Sequence, residues 1–317
     1  MKKFKTLFFG TPDFSVATLE LLQHHPLIEL VGVVSMPDRP AGRGQELKSP
    51  EVVSYAKLHK IDYFQTENVN KENHLLEKWA NEKVDLIIVL AFAQFLGSKI
   101  LQLPRLGCFN IHTSLLPKYR GAAPIQYALW NGDAQTGVSI QRMVKKMDAG
   151  NIVVSAPTPI FNYETGGLLT TRLKHLASLA TAELIDKIAA NNLNETIQDE
   201  SLVSFAPTLK KEDGWLDFTN QTSSALINRF RATDPWPGSY AFLSGKRLKI
   251  LSLESYDFKL AAGKMINHHN QLIVGTKDGC LRLTRVQLEG KKATSDIELL
   301  NGYKSELILT SLPKAQE

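Results

Sequence analysis

The run 84–92, Val-Asp-Leu-Ile-Ile-Val-Leu-Ala-Phe, constrains the fold most, because as a strand it is apolar on both faces. Such a strand must be covered on both sides, and helices flanking a parallel sheet are the usual cover. The neighbouring pattern agrees. Strand-like runs at 6–9, 28–34, 62–64, 84–92, 108–112, 137–143 and 151–157 are separated by helical stretches. These helices run to about 24, then cover 50–60, 70–81, 124–130 and 165–190. Alternation of this kind predicts an α/β fold with a Rossmann-like, mostly parallel sheet.

The chain has 317 residues, more than one core usually serves. After 190 the pattern changes. The stretch 191–204 is polar and poorly periodic, as a linker would be. From 205 onward the segments are short: a helix at 223–231, then strands at 240–243, 247–253, 264–267, 272–274 and 280–288. That pattern predicts a small C-terminal β-barrel of the oligonucleotide-binding type. The expected organisation is therefore 1–190, a linker at 191–204, and a second domain at 205–317.

Hydrophobic content of 43% and charged content of 22% are those of a globular protein in water. No apolar run reaches bilayer-spanning length, so no membrane partner is expected. The basic opening Met-Lys-Lys precedes an apolar stretch too short for a signal peptide, which reads instead as a first strand. The two cysteines, Cys108 and Cys280, form no motif, which fits a reducing cytoplasm and gives no metal centre. The strand and turn ending in Gly10-Thr-Pro-Asp-Phe14 resemble a dinucleotide fold. The Gly-x-Gly-x-x-Gly fingerprint and the Gly-Lys-Ser/Thr phosphate loop are both missing, however. Net charge is +5, and Lys246, Arg247, Lys249, Lys277, Arg282, Arg285, Lys291 and Lys292 gather in the second half. This permits a polyanionic partner without requiring one.

Two stretches carry chemistry. In 107–124, Asn110 and His112 stand two apart on one strand and share a face. Polar side chains at the carboxyl end of such a strand sit where open α/β sheets bind ligands. A carboxamide and an imidazole aimed at one point can hold the oxygen of a tetrahedral acyl-transfer intermediate. Ser114 lacks the Gly-x-Ser-x-Gly setting of a hydrolase nucleophile. The second stretch, 36–50, has three prolines, two glycines and the cations Arg39, Arg43 and Lys48, and reads as a long exposed loop. Asp148-Ala-Gly150 reads as a turn.

These motifs together resemble the bacterial methionyl-tRNA formyltransferases. The resemblance rests on Phe9-Gly-Thr-Pro-Asp-Phe14, Pro37-Asp-Arg-Pro-Ala-Gly-Arg-Gly44, Asn110-Ile-His-Thr-Ser-Leu-Leu-Pro117 with the following Lys-Tyr-Arg-Gly-Ala-Ala-Pro-Ile125, Met147-Asp-Ala-Gly150, Lys211-Glu-Asp-Gly214 and Pro235-Trp-Pro-Gly238. Where that family typically has Ala-Tyr-Gly-Gln-Ile-Leu, this chain has Ala91-Phe-Ala-Gln-Phe-Leu96. The resemblance implies a formyl donor, 10-formyltetrahydrofolate, and an acceptor, the methionyl initiator tRNA, with no metal. It implies a catalytic trio of Asn110, His112 and Asp148. Asn110 and His112 would offer N–H donors to the oxyanion, and Asp148 would aid proton transfer. Ser114, Leu115, Leu116 and Pro117 would border the folate, and Arg39, Arg43 and Lys48 would reach the tRNA. The first domain would be catalytic and the barrel tRNA-binding, in a cytoplasmic monomer. Two other readings remain: a formyltransferase acting on a glycinamide ribonucleotide or sugar amine, and a silent RNA-binding protein. On the first reading, Arg43→Ala raises the apparent KM for tRNA and leaves folate binding unchanged; steady-state kinetics with each substrate varied checks this.

Overall fold

The computed structural model describes residues 3–42, 44–302, 307, 309 and 310. Arg43 lies outside the described residues. The first part of the chain forms strands β1 Phe4–Gly10 and β2 Ile28–Ser35, a hairpin of β3 Arg39–Ala41 and β4 Glu46–Lys48, then β5 Tyr63–Gln65 and β6 Leu86–Leu90. Strands β7 Gly107–His112, β8 Arg120–Gly121, β9 Gln135–Arg142 and β10 Ile152–Pro159 follow. Helices α1 Val16–His24, α2 Glu51–Leu58, α3 Asn73–Glu82, α4 Ser98–Leu101, α5 Pro124–Trp130 and α6 Gly166–Ala189 are interleaved with them.

Seven of these strands make one sheet in the order β10-β9-β7-β6-β1-β2-β5. Pairing is parallel from β5 through β2, β1 and β6 to β7. It turns antiparallel at β9, which opposes both β7 and β10. All five residues of β6 are buried, as a strand covered on both faces must be. Phe9 is wholly buried on β1, with Trp79 of α3 and Phe92 against its ring at centroid distances of 5.7 and 5.1 Å. Leu75 and Leu76 bury the same face of α3, as their spacing predicts.

The chain divides into two compact units. The first comprises Met1–Pro124, Gln135–Pro159 and Thr170–Ala206; the second comprises Ile125–Ala134, Ile160–Leu169 and Pro207–Glu317. In chain order the last strand of the first unit is β11 Phe205–Ala206, which pairs with β8. The second unit adds helix α7 Ser223–Thr233 and strands β12 Ser239–Leu243, β13 Lys246–Tyr256, β14 Met265–His268, β15 Gln271–Gly275 and β16 Cys280–Leu288. Short β17 Thr294–Ser295, helix α8 Asp296–Asn301 and β18 Leu309–Thr310 complete it. Its sheet runs β14-β15-β16-β13-β12-β18, all antiparallel, over a core that includes Leu243, Leu248, Leu272, Leu281 and Val286. The sequence pattern missed α8. Its signal is local: Ser295 and Glu298 form a capping box, each side chain accepting from the other's backbone N–H.

Two expectations change. The stretch 36–50, expected as a long exposed loop, is exposed over much of its length but carries a short hairpin, in which β3 and β4 pair antiparallel and set Arg39 directly opposite Lys48. Like charges so placed repel, and each cation is matched by an acid. Arg39 Nη2 lies 2.6 Å from Glu67 and Lys48 Nζ 2.6 Å from Glu51. The stretch 191–204 is no free linker. Thr196 bridges Ile152, and Gln198 is buried in the first unit. Composition obscures this, because most of the polar side chains here are exposed, and Gln198, which serves the carbonyls of Asp148 and Gly150, is the buried exception.

Phe9→Ala removes a fully buried ring from between two others and should lower stability by about 3–5 kcal/mol. Urea denaturation of the purified variant measures it.

Candidate active site

The end of β7 presents Asn110 and His112 on one face, with Ile111 buried on the other. The antiparallel neighbour β9 supplies their counterparts, since Asn110 pairs in register with Gln141 and His112 with Ser139. Period-two alternation therefore gathers four polar side chains on one patch of the sheet. The segment after β9 folds back over this patch and delivers Asp148, whose φ of 50° is in the left-handed region. Asp tolerates that region better than most residues, at a modest cost.

The Asp148 carboxylate is held from several directions. Oδ1 accepts from Gln141 Nε2 at 3.0 Å and from Asn110 Nδ2 at 3.4 Å. Oδ2 accepts from the backbone N–H of Gly121 at 2.9 Å and lies 3.8 Å from His112 Nδ1. The last distance exceeds a hydrogen bond and becomes an ion pair only when the ring is protonated. Gly121 can take part because its φ is +120°, and a Cβ there would stand 2.7 Å from Ala206 O.

His112 is 6% exposed, and its Nε2 lies 2.8 Å from the carbonyl oxygen of Tyr119. A carbonyl can only accept, so Nε2 must carry a proton. In the neutral ring Nδ1 is then a lone pair facing Asp148. This alters the expectation for His112. Its obligatory N–H is already committed to Tyr119, and only the charged ring has a second N–H to offer an oxyanion. Asn110 is half-buried and, among the described residues, its side chain makes only the long contact to Asp148, so its carboxamide retains donor capacity.

The loop beyond His112 is closed by its own polar groups. Ser114 is fully buried and its hydroxyl donates to Lys118 O at 2.6 Å. Ser139 Oγ donates to Ser114 O at 2.8 Å and accepts from Leu116 N at 3.0 Å. Leu116 is buried, whereas Leu115 and Pro117 are half-buried. The hairpin residues Arg39 on β3 and Lys48 on β4 are exposed and pair with Glu67 and Glu51.

Sequence reasoning missed the residues that fix Asp148. Gln141 and Ser139 had a legible signal, the same two-residue spacing as Asn110 and His112. Gln198 and Arg120 had none. Gln198 Nε2 donates to the carbonyls of Asp148 and Gly150 at 2.8 and 2.7 Å. Arg120, 1% exposed, donates to Gln198 Oε1 through Nε and Nη2 at 3.1 and 2.8 Å, and to Glu200 at 2.9 Å. Hydrogen bonds from Arg120 and then Lys146 hold the Glu200 carboxyl down at about 2. Among the described residues, no three His, Cys, Asp or Glu side chains are grouped to hold a metal ion. No described helix is long and apolar enough to cross a membrane.

Comparison with known proteins identifies the family. Residues 2–185 match the family model described as formyl transferase, and residues 208–304 match the formyl transferase C-terminal domain. The methionyl-tRNA formyltransferase of Thermotoga maritima is 38% identical over 300 residues, covering 94% of this chain and 95% of the relative. That of Geobacter sulfurreducens is 37% identical over 307 residues, covering 96% of each.

The chain belongs to the methionyl-tRNA formyltransferase family. Solved structures at lower identity share the fold of this family member. An N-formyltransferase from Helicobacter canadensis, in complex with folinic acid and dTDP-3-aminofucose, superposes with a TM-score of 0.66 at 18% identity, over 88% of this chain and 98% of that one. HypX from Aquifex aeolicus, in complex with tetrahydrofolic acid, gives 0.59 at 14% identity, and the chain spans about half of it: 98% of this chain and 51% of that one.

Gly150 limits what the turn tolerates, because a Cβ there would fall 1.7 Å from the carbonyl oxygen of Arg142. Gly150→Ala must displace backbone and should lower stability by roughly 1–3 kcal/mol; chemical denaturation reads this.

Proposed function

We propose that this enzyme transfers the formyl group of 10-formyltetrahydrofolate to the α-amine of methionine esterified to initiator tRNA. The observation that carries this reading is the convergence of Asn110, His112 and Asp148 on one face of the sheet, within a chain of this family. A C–N bond forms between the amine and the formyl carbon, and the C–N bond to the folate breaks. The amine gives up a proton, and the departing folate nitrogen takes one. The donor supplies the electrophilic carbonyl; the chain supplies donors, a base and position.

Asn110 Nδ2 is the donor for the oxygen that becomes negative as the amine attacks. One such preorganised donor contributes about 2.7–4 kcal/mol when judged by deletion. His112 Nδ1, its tautomer fixed by Tyr119, accepts the proton of the amine. The resulting imidazolium lies beside the Asp148 carboxylate and acquires an N–H that can face the same oxygen. Asp148 offsets the new charge and keeps the ring oriented. Leu115 and Pro117 border the folate, backed by buried Ser114 and Leu116. Arg39 and Lys48, with Arg43 between them in sequence, would meet tRNA phosphates. Among the second unit's cations, Lys246, Lys249, Lys277, Arg285, Lys291 and Lys292 are exposed. Arg282 is bound to Asp296, and Arg247 lies over the Tyr240 ring.

His112→Ala and Asp148→Asn should fold normally and lose roughly 10²–10⁴-fold in turnover, the usual scale of acid–base assistance. Formylation of methionylated initiator tRNA measures this, and near-normal turnover by either variant removes the mechanism. A sugar amine or glycinamide ribonucleotide replacing charged tRNA as the preferred acceptor would remove the substrate assignment.

A further inference from the structure

The Asp148 turn is gripped from two sides. Within the sheet, Gln141 is 2% exposed; its Nε2 donates to Asp148 Oδ1 and its Oε1 accepts from Gly150 N at 2.9 Å. From the other side comes Gln198, 6% exposed, on the stretch whose composition reads as a linker. Its amide nitrogen has two protons, and the two short bonds to Asp148 O and Gly150 O use both. The same side chain thus ties the first and last residues of the turn. Its amide oxygen is held by two nitrogens of the buried Arg120 guanidinium. Arg120 Nη1, the remaining nitrogen, is buried with no hydrogen-bond partner among the described residues.

Arg120 also precedes Gly121, whose N–H binds Asp148 Oδ2. One dipeptide therefore steadies the carboxylate directly through its backbone and the turn indirectly through Gln198. The turn needs such support, since Asp148 sits at φ 50°, where an unsupported L-residue tends to relax.

We propose that Gln198, braced by Arg120, is a positioning residue for formyl transfer: it holds the 148–150 turn so that the Asp148 carboxylate faces Asn110 and His112. The proposal rests on the reading of Asp148 as part of the catalytic trio. Gln198 touches no reacting atom in this scheme and acts through Asp148 alone. The chain beyond the long helix α6 is then part of the catalytic machinery, returning to complete the site from behind.

The test is a double-mutant cycle in the full-length enzyme. Gln198→Met keeps the side-chain length and deletes both donors; Asp148→Asn deletes the carboxylate. Single-turnover formylation of methionyl-tRNA at excess enzyme gives the rate, and steady-state kinetics gives KM for the tRNA. Gln198→Met is expected to lower the rate ~10–100-fold, the scale of a small misplacement of a catalytic group, with KM for tRNA within about threefold of the parent. In the Asp148→Asn background the same substitution should have almost no further effect, because residues acting as a unit are not additive. An equal fractional loss in both backgrounds, or no loss in the parent, overturns the proposal. Full turnover by Asp148→Asn alone overturns the trio and the proposal together. Gln198→Glu, which keeps shape and removes the donors differently, must give the same non-additive pattern if Gln198→Met folds poorly.

Discussion

One carboxylate, that of Asp148, is fixed in position by hydrogen bonds from three directions, and the proposed site is built around it. Asp148 accepts from Gln141, Asn110 and the Gly121 backbone while its residue sits in the left-handed region of the φ/ψ map. Each neighbour has its own reason to be in place. Asn110 and Gln141 are register partners across β7 and β9, so the sheet ladder sets their separation. Gly121 lies on β8, pinned against β11. Preorganisation of this kind removes reorganisation from the moment of reaction, which is how fixed dipoles assist charge development. The antiparallel entry of β9 into an otherwise parallel run is what brings Ser139 and Gln141 beside the polar end of β7.

Much of this was legible in the residues. The doubly apolar run at 84–92 demanded a covered strand, and β6 lies at the middle of the sheet with every residue buried. The spacing of Asn110 and His112 placed them on one face, as observed. Helix α5 begins at the proline that opened it in the sequence reading. What stayed hidden was long-range and polar. Gln198 lies in a stretch whose composition is that of a solvated connector, and only its tertiary partners, the carbonyls of Asp148 and Gly150, make it buried. Arg120, of a residue type rarely buried, is 1% exposed. Periodicity reports which face is apolar, and cannot see a polar group whose partners lie far along the chain, 48 and 50 residues away here. The tautomer of His112 was equally invisible, because it is set by the carbonyl of Tyr119.

The fold leaves the choice of acceptor open. Structures at 14–18% identity share it, and one of them is in complex with an amino-sugar nucleotide. Function therefore has to be argued from residues laid on the fold and from closer relatives. Identity of 38% along almost the whole chain supplies the second argument here. The geometry around Asp148 supplies the first.

The ion pairs of the β3–β4 hairpin have a consequence for selectivity. Arg39 and Lys48 face each other, and each already has a carboxylate at 2.6 Å. At rest this base of the hairpin is close to electroneutral. A polyanion drifting past gains little there, since every phosphate it offers must evict an acid already in place. Only a molecule anchored elsewhere on the protein, and so held at high local concentration, makes that exchange favourable. On the proposed reading, these exposed pairs, each worth only about 0–1 kcal/mol, would tilt the hairpin toward ligands held by other contacts and away from those that merely carry charge.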